Sequence, residues 1–156
     1  MPREFSAGAV IFRKEGDNVY YLLLHYESKH WDFAKGHIEK NETDEETVRR
    51  EVEEETGIKD IKIMPGFKRT IKYFFRQYRE KVSEHDRRRG KTPWVFKMVR
   101  FYLIQTQTKE VKLSPEHTEY KWLDYKSALK QLTHKNAKDI LKKADEYIMN
   151  NEKLAL

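Results

Sequence analysis

The sequence predicts a single α/β domain over residues 1–156, and three observations carry the prediction. Apolar and β-branched runs of strand length interleave with three helix-like segments. No linker or internal repeat interrupts that order. The 156 residues are 38% hydrophobic and 13% aromatic, enough for one sizeable core although 37% are charged.

The elements follow in order. EFSAGAVIFR (4–13) is a short apolar run suited to a buried strand, and a turn at Glu15–Asn18 leads into VYYLLLHYE, so a hairpin is expected. SKHWDFAKGHIEKNET reads as a polar, glycine-containing loop that delivers the chain to a helix. IKDIKIMPGF reads as a strand interrupted at Pro65–Gly66. FKRTIKYFFRQY (67–78) and WVFKMVRFYLIQT are rich in β-branched and aromatic residues, with a basic loop, REKVSEHDRRRGKTP, between them. A short strand around Tyr120–Leu123 precedes a helix with Asp124 as its N-cap candidate. In the last segment Ile140, Leu141, Ala144 and Ile148 stand at helical spacing and predict a closing packed helix.

Composition narrows the function classes. There is no cysteine, which excludes disulfides and thiol chemistry. No run reaches the 18 or so apolar residues of a membrane span, and MPREFSAGAVIF lacks a signal-peptide core. A soluble cytoplasmic protein without a membrane partner is therefore expected. The net charge of +6 suits a polyanionic partner without choosing between nucleic acid and a free nucleotide.

The segment Gly36–Ile58, GHIEKNETDEETVRREVEEETGI, carries the chemistry. Thr43 with Glu46 forms a capping box, Asp44, Glu45 and Glu46 complement the helix dipole, and Gly57 suits a left-handed terminus. Val48 and Val52, four apart, give a narrow apolar stripe. Glu51, Glu54 and Glu55 stand at i, i+3 and i+4 and so share one helix face. Like charges stacked this way destabilise a helix by a few tenths of a kcal/mol per pair, a penalty that a divalent cation between them reverses. Hard oxygen ligands suit Mg²⁺, Mn²⁺ or Ca²⁺.

Gly36, Glu42, Arg50, Glu51, Val52, Glu54, Glu55, Gly57 and Ile58 fit G-x5-E-x7-R-E-U-x-E-E-x-G-U at every specified position, U being a bulky aliphatic. This resembles the Nudix box, the signature of hydrolases acting on nucleoside diphosphates linked to another group. SAGAVIFR, HWDFAKGHIE and LSPEHTEYKWLDYKSA further resemble the asymmetrical diadenosine tetraphosphate hydrolases. Ala34, where that subfamily commonly carries proline, and a longer basic loop at Arg79–Lys91 are departures that bear on the substrate.

The resemblance implies a Nudix fold, a mixed β-sheet sandwiched between α-helices. It implies Mg²⁺ (or Mn²⁺) held by Glu51, Glu54, Glu55, the Gly36 carbonyl and Glu116, with Arg50 orienting a box glutamate. One glutamate would instead deprotonate the attacking water; Glu54 is the first choice and Glu116 the next. Glu42 is as much a structural residue at the helix start as a metal contact. Lys35, His30 and His37 are candidate phosphate contacts, His117 being left aside as structural. Trp31, Tyr73, Phe75 and Tyr120 are candidate stacking surfaces for adenine, weighed against ordinary core roles. Lys97 and Lys72 would meet a long polyphosphate. The implied reaction is hydrolysis of a dinucleoside polyphosphate, diadenosine tetraphosphate to ATP plus AMP. The alternatives are another Nudix pyrophosphohydrolase, acting on an RNA 5′-triphosphate end, a nucleotide sugar or a nucleoside triphosphate, and a non-catalytic nucleotide-binding module. A small-molecule nucleotide is thus the expected partner, with RNA gripped by the basic loop the less favoured one.

Overall fold

The computed structural model describes residues 2–76 and 94–154. The basic loop Arg79–Lys91 and the end of the 67–78 strand lie outside the described residues.

A long central strand, β1 (Arg3–Glu15), organises an eight-stranded sheet. Gly16, at φ +60°, turns the chain into β2 (Asn18–Tyr26), which pairs antiparallel with the C-terminal half of β1. On its other edge β1 runs parallel to β7 (Trp94–Gln105), from Arg3 opposite Phe96 to Phe12 opposite Gln105. That parallel pair makes the sheet mixed, because every other described pairing is antiparallel. β6 (Arg69–Arg76) lies beyond β7, as does the short β5 (Lys62–Ile63), and β8 (His117–Leu123) pairs with β2.

Alternation along β1 divides the interior into two cores. Ala7, Ala9 and Ile11 pack beneath α1 (Asp44–Thr56), where Val48 and Val52 are fully covered. Val10 and Phe12 face the opposite core, closed by α2 (Tyr125–Gln131) and α3 (Lys135–Leu154) through Ala128, Ile140, Leu141, Ala144 and Ile148. The sheet is therefore sandwiched between helices, as expected.

The helix signals hold in detail. Thr43 accepts from the Glu46 N–H while the Glu46 carboxylate reaches back to the Thr43 N–H, and Gly57 closes α1 at φ +75° with its N–H on Glu53. Asp124 caps α2 by accepting from the Ser127 N–H.

Two expectations need correction. The segment expected to be only loop contains two strands, β3 (Trp31–Asp32) and β4 (Ala34–His37). The latter, AKGH, has no strand propensity of its own; it is extended because the N-terminal half of β1 offers it a free edge, with Ala7 opposite Gly36 and Gly8 opposite Lys35. Similarly β8 starts at His117 rather than near Tyr120, because β2 pairs with it as far back as Tyr26.

Leu141 is fully buried in the core that holds α3 on the sheet. Leu141→Ala should lower unfolding free energy by about 2–5 kcal/mol in urea titrations. A loss under about 1 kcal/mol would mean that α3 does not pack here as described.

Candidate active site

The site forms where β4 lies against the acidic face of α1. A Cβ built on Gly36 would overlap the carboxyl group of Glu51, so only glycine lets this strand approach the helix so closely. Arg50 fixes the geometry from outside. It donates from Nε and Nη2 to Glu42 (2.7 and 2.9 Å), from Nη1 to Glu51 (2.7 Å), and from Nη2 to the His37 carbonyl (3.0 Å). A longer contact of 3.4 Å reaches Glu54. Glu42 also accepts from the Thr47 hydroxyl and the Glu39 N–H, and the hydrogen bonds from Arg50 hold its carboxyl down to about 2. Glu42 is thus committed to tying the loop to the helix, and Arg50 orients Glu51.

Glu55 lies deepest. It is 3% exposed and accepts the Lys35 N–H at 3.1 Å. Ligand atoms of Glu55, Glu116 and His117 lie within 4.8 Å of one another. Burial, then repulsion from Glu51 and Glu116, pushes the Glu55 carboxyl up to about 9. Burial also raises Glu51 and lowers His117, leaving the imidazole neutral at pH 7. The His117 Nδ1 faces the Ser114 hydroxyl at 3.1 Å, while its buried Nε2, 3.9 Å from Glu55, has no hydrogen-bond partner among the described residues. The buried Glu55 carboxyl and the exposed Glu116 carboxylate, converging beside an orphaned neutral nitrogen, are a set that can hold a divalent cation, and the predominance of oxygen favours a hard one. Glu54 stands apart on the same helix face, mostly exposed and close enough to Glu51 to repel it.

Adjacent residues of β4 project to opposite faces, so while Gly36 meets Glu51, Lys35 points into a cavity of about 630 Å³ on the other side. Tyr26, His30, Asp32, Tyr73 and Phe101 line it with Lys35, and the start of α3 supplies a further wall at His134–Ala137. Lys35 Nζ is 3.0 Å from Asp32; burial works against its charge, and Asp32 more than offsets that. Gly8 is required below, since a Cβ there would come within 2.8 Å of both the Phe101 ring and the Lys35 Cβ. Tyr26 joins the two regions: its ring stacks on His30 at 4.6 Å and meets the edge of His117 at 4.4 Å.

The candidates therefore separate. Glu51, Gly36, Arg50 and Glu54 gather on one side of β4, with Glu55, Glu116 and His117 at its end, and Lys35, His30 and Tyr73 gather at the cavity. Phe75 contacts Tyr73 at 6.2 Å but does not line the cavity. Trp31 is 8% exposed and built into the core, with Lys121 over its ring, and Tyr120 lies out on β8; neither lines the cavity. Lys97 projects toward the cavity face but its ammonium is drawn to Ser6 (2.8 Å) and Glu4 (3.5 Å). Lys72 is on the opposite face of β6, and the His37 residue, exposed, engages Arg50 through its carbonyl. Tyr26, Asp32, Phe101, His134 and the convergence of His117 with Glu55 and Glu116 were not anticipated. Only the position of His117 beside Glu116 gave a signal for any of them.

The raised Glu55 carboxyl links stability to pH. Its stabilising contribution is complete below its ordinary value of 4.5 and is lost as pH rises toward about 9, because only the unfolded chain then releases the proton. In chelator, wild-type stability should fall relative to Glu55→Gln by up to about 1.4 kcal/mol per pH unit over that interval. Saturating Mn²⁺ should abolish the fall in wild type only. A stability difference that stays constant with pH would contradict the placement of Glu55.

Comparison with known proteins agrees with this geometry. The NUDIX domain family matches residues 2–144. The chain is 29% identical to bis(5′-nucleosyl)-tetraphosphatase [asymmetrical] of Mus musculus over 153 residues, covering 92% of this chain and 94% of that protein. It is 32% identical over 120 residues to an RNA pyrophosphohydrolase of Nitratiruptor sp., covering 75% of this chain and 72% of that one. A crystal structure of a C. elegans Ap4A hydrolase binary complex superposes with a TM-score of 0.75 at 25% identity, covering 94% and 98% of the two chains. The chain belongs to the Nudix family and is a Nudix hydrolase acting on phosphorus-containing anhydrides.

Proposed function

We propose that the enzyme hydrolyses a phosphoanhydride bond of dinucleoside polyphosphates, with diadenosine tetraphosphate converted to ATP and AMP. The observation that carries this reading is the pairing of an aromatic- and lysine-lined cavity of about 630 Å³ with a carboxylate cluster, joined through Lys35–Gly36 and Tyr26. The cavity is large enough for one nucleoside, while the phosphate chain extends past Lys35 toward Glu55. Similarity to the mouse tetraphosphatase across nearly the whole chain supports the same substrate class.

In this reading Glu51, Glu55 and Glu116 hold Mg²⁺ or Mn²⁺, with the Gly36 carbonyl and His117 at its periphery. A divalent cation supplies charge neutralisation at phosphate oxygens and a lower pKa for bound water. Arg50 keeps Glu51 in its ligating orientation. Glu54, exposed and without a short partner among the described residues, is free to take the proton of the attacking water. Lys35 presents a charge, fixed by Asp32, to the phosphate chain, while Tyr73 and His30 offer faces to the base. The similarity to an RNA pyrophosphohydrolase favours a 5′-triphosphate RNA end as the second reading.

A panel of dinucleoside tri-, tetra- and pentaphosphates, triphosphate-ended RNA, ADP-ribose and nucleoside triphosphates, with chromatographic separation of products, distinguishes these readings. Diadenosine tetraphosphate should give the highest kcat/KM, with ATP and AMP in equal amounts. Higher kcat/KM on RNA ends or ADP-ribose would overturn the substrate assignment. Glu54→Gln should lower kcat by about 10²–10⁴-fold with an unchanged Tm. Retained turnover would move the base to Glu116.

A further inference from the structure

The sheet extends beyond the helix that covers it. On the α1 face, coverage ends at the row where Ala7, Arg100 and Thr70 stand side by side across β1, β7 and β6, and Arg100 there is held by Asp44 at the first turn of α1. Three more rows follow on the same face. Phe5, Met98 and Lys72 form one, Arg3, Phe96 and Phe74 the next, and Trp94 with Arg76 the last. Phe5, Phe74 and Trp94 are 39%, 57% and 46% exposed, and they make up three of the five large hydrophobic side chains exposed among the described residues. Phe74 and Phe96 are in ring contact at 5.3 Å, and the Arg76 guanidinium lies over the Trp94 ring at 4.7 Å.

The composition of this patch selects a partner. Its apolar members are flat rings rather than aliphatic side chains, Met98 excepted. Its charged members are all cations, and among the described residues no carboxylate pairs with Arg3, Lys72 or Arg76. An isologous contact with a second copy would bring these cations together without compensation. An acidic partner with planar apolar groups fits both features, and nucleic-acid bases alternating with phosphates supply them at the spacing of successive strand rows. Duplex stacking would hide those base faces.

We infer that this uncovered end of the sheet binds single-stranded nucleic acid, with bases stacked on Phe74, Phe96 and Trp94 and phosphates on Arg3, Lys72 and Arg76. The surface is independent of the cavity, because Ile71, Tyr73 and Phe101 project from the other face of the same strands. A strand bound here leaves the nucleotide cavity open, so the surface would retain the enzyme on RNA or DNA without consuming it as substrate.

Fluorescence anisotropy with labelled single-stranded RNA and DNA oligonucleotides, run on the full chain in chelator to prevent hydrolysis, tests this directly. Wild type should bind in the micromolar range with a log–log salt slope of about −2, as three phosphate contacts give. Excess ATP should not displace the oligonucleotide, and a duplex should bind more weakly. Phe74→Ser and Arg76→Glu should each weaken binding at least about fivefold. With Mg²⁺ restored, both should hydrolyse diadenosine tetraphosphate at the wild-type rate. Absence of binding at about 100 μM protein, equal affinity in both variants, or displacement by ATP would overturn the inference. So would a wild-type dimer in sedimentation that Phe74→Ser dissolves, since the face would then serve self-association.

Discussion

The seating of the Glu51 carboxyl in the space above Gly36 is the contact on which the rest of the site depends. It sets the distance between β4 and α1, and with it the depth at which Glu55 is buried against the Lys35 backbone. Arg50 cannot then be a surface ion pair of small worth, because it bonds Glu51, Glu42 and the His37 carbonyl at once. Loop, strand and helix are fastened around one guanidinium. The acidic face that would destabilise an isolated helix is tolerated because this frame holds it, and because burial raises the Glu55 carboxyl to about 9, so that it carries little charge at neutral pH.

The same two residues of β4 also explain how one short strand serves two regions. Strand alternation sends Lys35 to the cavity and Gly36 to the carboxylates, so cavity and cluster are only one peptide apart. The stack from His117 through Tyr26 to His30 makes a second link around the edge of the sheet. Lys35 is held in place by Asp32, so its ammonium is already ordered where it faces the cavity.

Much of this was legible in the sequence, for reasons that differ by element. The α1 caps at Thr43 and Gly57 were readable because capping is local chemistry, and the i, i+3, i+4 carboxylates because helix periodicity places them without tertiary information. β4 was not readable, since AKGH is extended only by virtue of the β1 edge. The cavity wall at His134–Ala137 and the role of Tyr26 depend on which distant segments meet, which periodicity does not encode. Aromatic candidates divided on the same ground. Tyr73 faces the cavity, whereas Trp31 is built into the core and Tyr120, exposed on β8, does not line it. An alternating strand specifies that a ring has a face, but the packing of helices decides which face remains open.

Crystals grown with Mn²⁺ and a non-hydrolysable diadenosine tetraphosphate analogue provide the most direct measurement. Anomalous scattering should place Mn²⁺ within coordination distance of Glu51, Glu55 and Glu116, with one adenosine in the cavity between Lys35 and Tyr73. An anomalous peak at Glu39 or Glu42 would contradict the cation assignment, and an analogue bound away from that cavity would contradict the substrate assignment.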